Sequence, residues 1–560
     1  MKGMVNSQRR GMALLVVVVL TMLIALGAYR FSFYMESQYR LTRLHEEQVH
    51  AKLAALSGIE MAASIAELPA TERTNLGGLT DNPAVLQHIA TNAASEDDSR
   101  SEPADSSWRF ALVSSVNNSS VNAISNRALS NSTGAKGESS NLRFGFENES
   151  AKLHLPTLLE WDRRMPGHAR TTLLALPGAT EQLVDAWLRG LGVTKRRDGA
   201  TGASSLLDRL EANPENSDRS SDTDQLKSLW LGGDLNQNYQ LDPLELRLSE
   251  PGLSQRGSGS RSIPTNPASS KSTLATTQPP AWQRFVTWHS SQRNETRTGQ
   301  PRINLNEANL QSLHQKMIAV WPTDWANFVI AMRQNGSVTG DSPVAGEKTP
   351  ATIESPSPDF SKPAAYTFKS SLDLVGAMVQ IAVANPPPST DGKSNVTTKQ
   401  TLRNPFSSDL SEARNYLGRV LDASTTDPSP FTTGRVDVSE APAEVLAGIP
   451  GVDLALAQRM VQQRSSNSGA SNAEPRDTIA WLLDGGALDI AKLRTIEPYI
   501  TSRNDVYTVQ SVGYRDNLSP VYRCTVTIDA RQIPAQIRNY QIWHPWDRGF
   551  SVDQLNSPTQ

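Results

Sequence analysis

The sequence predicts an α+β protein: a long N-terminal helix, an antiparallel sheet, and a large, mainly α-helical domain inserted within that sheet. Three observations predict it. Residues 12–68 run on without a proline until Pro69. Segments that alternate apolar and polar residues lie at 108–155 and again at 506–530, so the sheet starts early and resumes near the end of the chain. Between them, apolar residues recur at helical spacing on both sides of short turns, three times over.

The helix comes first. The stretch RRGMALLVVVVLTMLIALGAYR spans 9–30, and no charge occurs between Gly11 and Tyr29. At 1.5 Å per residue, 12–29 is long enough to cross most of a ~30 Å hydrocarbon layer. Lys2, Arg9 and Arg10 precede it, which keeps the N-terminus on the cytoplasmic side. Leu26-Gly27-Ala28 offers no good small-x-small cleavage site, and no turn follows. Instead Glu36, Arg40, Arg43, Glu46, Glu47 and Lys52 suit a solvated helix, while Ala51, Ala54, Ala55, Ile59, Ala62, Ala63 and Ala66 form a face of small side chains. One rod of ~85 Å is expected, its first third in lipid.

A short charged leader, a glycine and an unbroken apolar helix resemble the N-terminus of the type IV prepilin class. The resemblance implies a leader of 1–11, cut by prepilin peptidase between Gly11 and Met12, with methylation of the new N-terminus. Most of that class carry glutamate at the fifth mature position, where its carboxylate pairs with a neighbour's amine in lipid. Here that position is Val16. Lack of this glutamate is similar to the K-type minor pseudopilins of type II secretion systems (general secretion pathway protein K). The resemblance then implies a tip subunit anchored once in the bacterial inner membrane, with a periplasmic head. Its implied partners are I- and J-type minor pseudopilins and the major pseudopilin.

Along the head, WRFALVSS (108–115) and LRFGFENESAKLHLP (142–156) read as half-buried strands, giving a first sheet portion at 69–155. The second resembles the DE-x-(G/A)-K-I-N-L-N passage of K-type proteins, with Pro156 replacing the last asparagine. The inserted helical domain is expected at 156–500. Its three units resemble helix-hairpin-helix motifs, near 173–192, 302–336 and 435–464, the last turning at Pro450-Gly451 with Ser439 as its cap. Arg302-Ile303-Asn304-Leu305-Asn306 opens the second and matches the R-I-N-(L/V)-N pattern of the same family. Trp282, Phe285 and Trp288 before it read as core. Ser/Thr/Pro/Gly-rich composition at 251–280, 340–362 and 385–403 reads as disordered linker. A short amphipathic helix is expected from Ser371, and two short helices between 478 and 505. A returning β-hairpin at 501–532 closes the sheet, and 533–560 reads as an aromatic C-terminal tail.

One segment reads as a metal loop. Asp234, Asn236, Asn238, Gln240, Asp242 and Glu245 fall at positions 1, 3, 5, 7, 9 and 12 of an EF-hand-like loop (234–245), which suits the six to eight oxygens calcium takes. Tyr239 stands where glycine is usual, so a polar turn without metal is the competing reading. The family resemblance implies calcium in the periplasm without fixing these residues.

Composition excludes other classes. A formal net charge of −3 and one cysteine, Cys524, leave no global basic field, no intramolecular disulfide and no thiolate zinc site. No nucleophile elbow, zincin, P-loop or dinucleotide fingerprint occurs, so no enzyme activity is expected. Helix-hairpin-helix units also bind DNA phosphates in repair and uptake proteins. Residues 435–497 carry nine acids against six bases, the reverse of what a phosphate binder needs, so no nucleic acid is expected. A membrane-anchored DNA-uptake protein and the tip-like minor pilin of a type IV pilus are the alternatives.

Overall fold

The computed structural model describes residues 6–91, 107–115, 142–191, 282–338, 352–383, 398–466, 477–484, 486–515, 520–543 and 555–556. It is an α+β structure with a long apolar helix and an antiparallel sheet. Helix α1 is Asn6–Glu67, 62 residues or about 93 Å. It starts earlier than the sequence predicts: Asn6 to Gly11 are already helical, because no proline stands among them. Two short helices, α2 (Ala70–Asn75) and α3 (Pro83–Leu86), lead into the sheet.

The main sheet has seven strands: β1 (Ile89–Ala90), β2 (Arg109–Ser115), β3 (Leu142–Phe144), β4 (Glu147–Asn148), β5 (Val506–Tyr514), β6 (Tyr522–Asp529) and β7 (Gln536–Trp543). Their order is β1-β2-β5-β6-β7, with β3 on β2 and β4 on β5, antiparallel throughout. The register sets Val512 opposite Ala111 and Val509 opposite Val526. Two expectations change here. β2, β5 and β6 are buried on both faces rather than half-buried, since α1 covers one face and α3 with Leu555 packs into the same core. Residues 536–543 are not a tail but the edge strand β7, with a register shift opposite Thr527/Ile528.

α1 meets the sheet through its small residues. Ala51, Ala54, Ala55, Ile59, Ala62 and Ala66 are buried there, and Ser511 Oγ donates to Ala55 O at 2.7 Å. The approach is close because both sides lack bulk. A Cβ on Gly513 would overlap the backbone of Ala51 and lie 2.7 Å from Ala55 N, and one on Gly58 would lie 2.8 Å from the Phe110 ring. Cys524 sits in this core, where burial pushes its thiol up to about 12, so it packs as a small apolar side chain.

The chain leaves the sheet after β4 and returns at β5. Between them the inserted domain holds α4 (Leu155–Arg164), α5 (His168–Leu174), α6 (Glu181–Gly190), α7 (Leu310–Ile318), α8 (Thr323–Asn335), α9 (Leu410–Ala423), α10 (Ala443–Leu446), α11 (Leu454–Ser466) and α12 (Ile490–Ile496). The pairs α5–α6, α7–α8 and α10–α11 are the three hairpins, and their buried apolar side chains belong to one continuous core that also takes Trp282 and Phe285. Several local expectations are corrected. Ser439 does not cap α10: the helix starts after Pro442, which offers no side-chain hydrogen bond, and the Ser439 amide donates to Asp437 Oδ1 at 2.8 Å. Ser371–Leu374 is a single 3-10 turn closed by a Ser370/Asp373 capping box, followed by the strand Gln380–Val383 rather than by more helix. Ile479–Leu483 is likewise a 3-10 turn. Parts of two expected linkers are ordered: Thr352–Ile353 and Thr398–Leu402 join Gln380–Val383 in a three-stranded sheet, their threonines and branched side chains suiting strand geometry. The expected linker 251–280 lies outside the described residues.

Replacing Gly513 by alanine therefore lifts α1 off β5. A loss of about 1–3 kcal/mol is expected in urea unfolding of the full chain in detergent. Gly27→Ala, where a Cβ meets nothing within 4 Å, is expected to lose nothing. Equal stability of the two variants would show that the close approach is unimportant.

Candidate functional site

The functional question rests on α1 and on how firmly the head holds it. Its N-terminal part is long and apolar enough to span a membrane. Leu14 to Leu26 stand clear of the head, and Val16 is 60% exposed. Tyr29, Phe31, Phe33, Tyr34 and Tyr39 follow, all exposed, which suits aromatic side chains at a lipid–water boundary. Gly11 and Met12 lie within the helical backbone of α1.

The other end of α1 is held by charge. The last carbonyls of a helix have no partner within it. Here Arg293, from the inserted domain, donates through Nη1 to Glu67 O and through Nη2 to Leu68 O, each at 3.1 Å. Asp505, just before β5, accepts from the Arg293 amide at 2.6 Å and from its Nη2 at 3.3 Å. Asp505 also pairs with Arg73 of α2 at 2.6 Å. Arg73 reaches on to Asn504 O at 3.0 Å and to the Tyr507 hydroxyl. Burial alone would raise the Asp505 pKa, but Arg73 and Arg293 outweigh it and hold it below the usual carboxylate range. Burial likewise works against charge on Arg73, and Tyr507 and Asp505 reverse that and raise its pKa. The two arginines and one aspartate thus join α1, the sheet and the insertion at one buried point.

A second seam uses the Glu149–Lys152 passage. Asn148 Oδ1 accepts from the amides of Ser150 at 2.9 Å and Ala151 at 3.2 Å, while its Nδ2 donates to Asp437 at 2.7 Å. Lys152 Nζ lies between Glu149 at 2.7 Å and Glu147 at 2.9 Å. Thr80 donates to Glu440 at 2.8 Å. Burial pulls the Asp437 carboxyl up to about 7, helped by the nearby Glu440.

The R-I-N-L-N passage is a clamp. Asn304 Oδ1 accepts from the Asn306 amide at 2.9 Å. Asn306 then accepts from Phe368 N at 2.8 Å and donates to Phe368 O at 2.9 Å. In the third hairpin, Pro450 and Gly451 make the turn, with Gly451 at φ +82°. Gly448, Ile449 and Pro450 are buried, and Gly448 O accepts from His168 Nε2 at 2.9 Å. Gly448, just before the turn, therefore packs against α5 of the same chain, while Gly451 is exposed.

The EF-hand-like residues Asp234, Asn236, Asn238, Gln240, Asp242 and Glu245 lie outside the described residues. Among the described residues no group of three or more His, Cys, Asp or Glu is placed to hold a metal. The Arg73–Asp505–Arg293 node gave no sequence signal, since its members are 432 and 212 residues apart. Comparison with family models, curated proteins and solved structures finds no match to this chain.

Asp505→Asn leaves two buried guanidinium groups short of a counter-charge, and a loss of about 3–5 kcal/mol at pH 7 is expected. The Asp505 contribution is present above its unfolded pKa of about 3.9 and is lost as pH falls through the depressed folded value. Urea unfolding across acid pH is expected to fall less steeply in the variant than in the wild-type chain; parallel curves would remove Asp505 from this role.

Proposed function

We propose that this chain is a K-like minor pseudopilin, the tip subunit of a type II secretion pseudopilus that supports protein export across the outer membrane. The observation that carries the reading is α1: an exposed apolar helix that continues without a break into the head and is held there along its small-residue face. A lateral partner helix needs such a rod. Val16 supplies no carboxylate for an incoming subunit's amine, which favours the end of a fibre over its middle. The pilin-like sheet, interrupted between β4 and β5 by a helical domain, fits the same reading.

On this proposal the chain is anchored once in the bacterial inner membrane, N-terminus cytoplasmic and head periplasmic. Prepilin peptidase cuts after Gly11, and I- and J-type minor pseudopilins and the major pseudopilin pack along α1. The chain is not an enzyme. The DNA-uptake alternative would use the hairpin turns, and the burial of Gly448 to Pro450, with Gly448 bonded to His168 of α5, speaks for packing instead. The type IV pilus tip shares the same α1 geometry and differs in its co-purifying subunits.

Mass spectrometry of the mature chain from its native host is expected to find methylated Met12 at the N-terminus. An intact leader would defeat the proposal, and recovery of type IV pilus subunits in place of I- and J-like ones would redirect it.

Calcium in the loop 234–245 belongs to the same proposal. Titration calorimetry of the full chain in detergent is expected to register calcium binding that Asp234→Ala weakens. No heat, or equal heat from the variant, would assign the loop as a plain polar turn.

A further inference from the structure

Inside the inserted domain, between the Arg302 segment, α9 and the strand Phe431–Thr433, lies a cavity of about 50 Å³. At roughly 10–15 Å³ of such space per water, it has room for a few waters or one small oxyanion. Its wall is polar: Ser424, Thr425, Thr432 and Thr478 line it beside two cations, Arg302 and Arg435, and two carboxylates, Asp477 and Glu497.

The charges around it do not cancel. Asp422 pairs with Arg503, Glu497 with Arg435 at 3.3 Å, and Asp477 with Arg297 at 3.8 Å. Arg302 is left over. Its Nε donates to the Asp422 carbonyl at 3.1 Å, and it makes no ion pair among the described residues. Burial, then repulsion from Arg503, holds its pKa down to about 9. A half-buried guanidinium without a counter-ion gives up hydration without compensation, and water in the cavity would solvate it without balancing its charge.

A second group points the same way. Thr432 Oγ1 is buried and has no hydrogen-bond partner. Thr432 and Arg435 also line a neighbouring depression formed with Phe431 and Pro498.

We infer that this cavity binds a small oxyanion, held by the Arg302 guanidinium and the Thr432 hydroxyl. A guanidinium presents paired donors to such an ion, and the hydroxyl adds a third. One negative charge matches the one surplus cation.

The test uses the full chain in detergent and follows thermal unfolding in sodium phosphate, sulfate or acetate, each against chloride at equal ionic strength. At least one is expected to raise Tm saturably, by ~2–4 °C at concentrations well above its Kd. The three probes separate a tetrahedral from a carboxylate ligand. Arg302→Gln is expected to lose the shift. Thr432→Val, which removes only the hydroxyl, is expected to weaken the apparent affinity by about tenfold. It serves as the readout if Arg302→Gln does not fold. No saturable shift with any probe would mean that the cavity holds water only. A shift retained unchanged in the variants that fold would place any bound ion elsewhere. Either result overturns the inference.

Discussion

A long helix that carries a head must end somewhere, and its last carbonyls must be satisfied where it ends. In this protein the guanidinium of Arg293 does that work, and Asp505 fixes the guanidinium. Asp505 in turn precedes β5, the strand that runs beneath α1, and its carbonyl accepts from Ala530 N at 2.8 Å just past β6. Arg73 closes the set from α2. Such a group is poor evidence of stability in itself, because taking three charges out of water is costly. Its value is directional: three separate stretches of chain must arrive together for any of the charges to be compensated. The node thereby fixes the insertion against the rod.

The rod itself was legible. Apolar sequence without proline, followed by charges and then by alanines, leaves few alternatives to one helix, and α1 runs from Asn6 to Glu67. The strands around Phe110 and Val509 were legible from alternation, although their burial on both faces was not, because the covering pieces come from distant sequence. β7 was missed. Its Ile537, Tyr540 and Ile542 do not alternate evenly, and the register shift opposite Thr527/Ile528 explains the irregularity. Thr398–Leu402 was hidden by its Ser/Thr-rich surroundings, in which composition argued for linker and only a partner strand argues otherwise. At Ser439 the expected cap fails because the helix begins only after Pro442, three residues on.

The helical insertion is built around fixed turns and polar clamps. Asn306 is bonded to Phe368 through both backbone groups, so the second hairpin is pinned to a segment far along the chain. Gly448 has a similar role in the third: a Cβ there would strike the Thr172 methyl of α5. These contacts give the R-I-N-L-N and Pro-Gly patterns a mechanical meaning that sequence alone supplied only by likeness.

The bond between Ser511 and Ala55 joins residues 456 apart in sequence. A polypeptide made from its N-terminus has the alanine stripe of α1 in place long before β5 has been synthesised. Until then that stripe has no sheet to lie on, and β2 has no central neighbour. Pairings this remote close slowly, since the entropy of a very long loop must be lost before any contact compensates it. The architecture that makes the finished rod rigid therefore imposes a waiting period during biogenesis. Throughout it, the nascent chain presents an uncovered helix flank to whatever stands beside it.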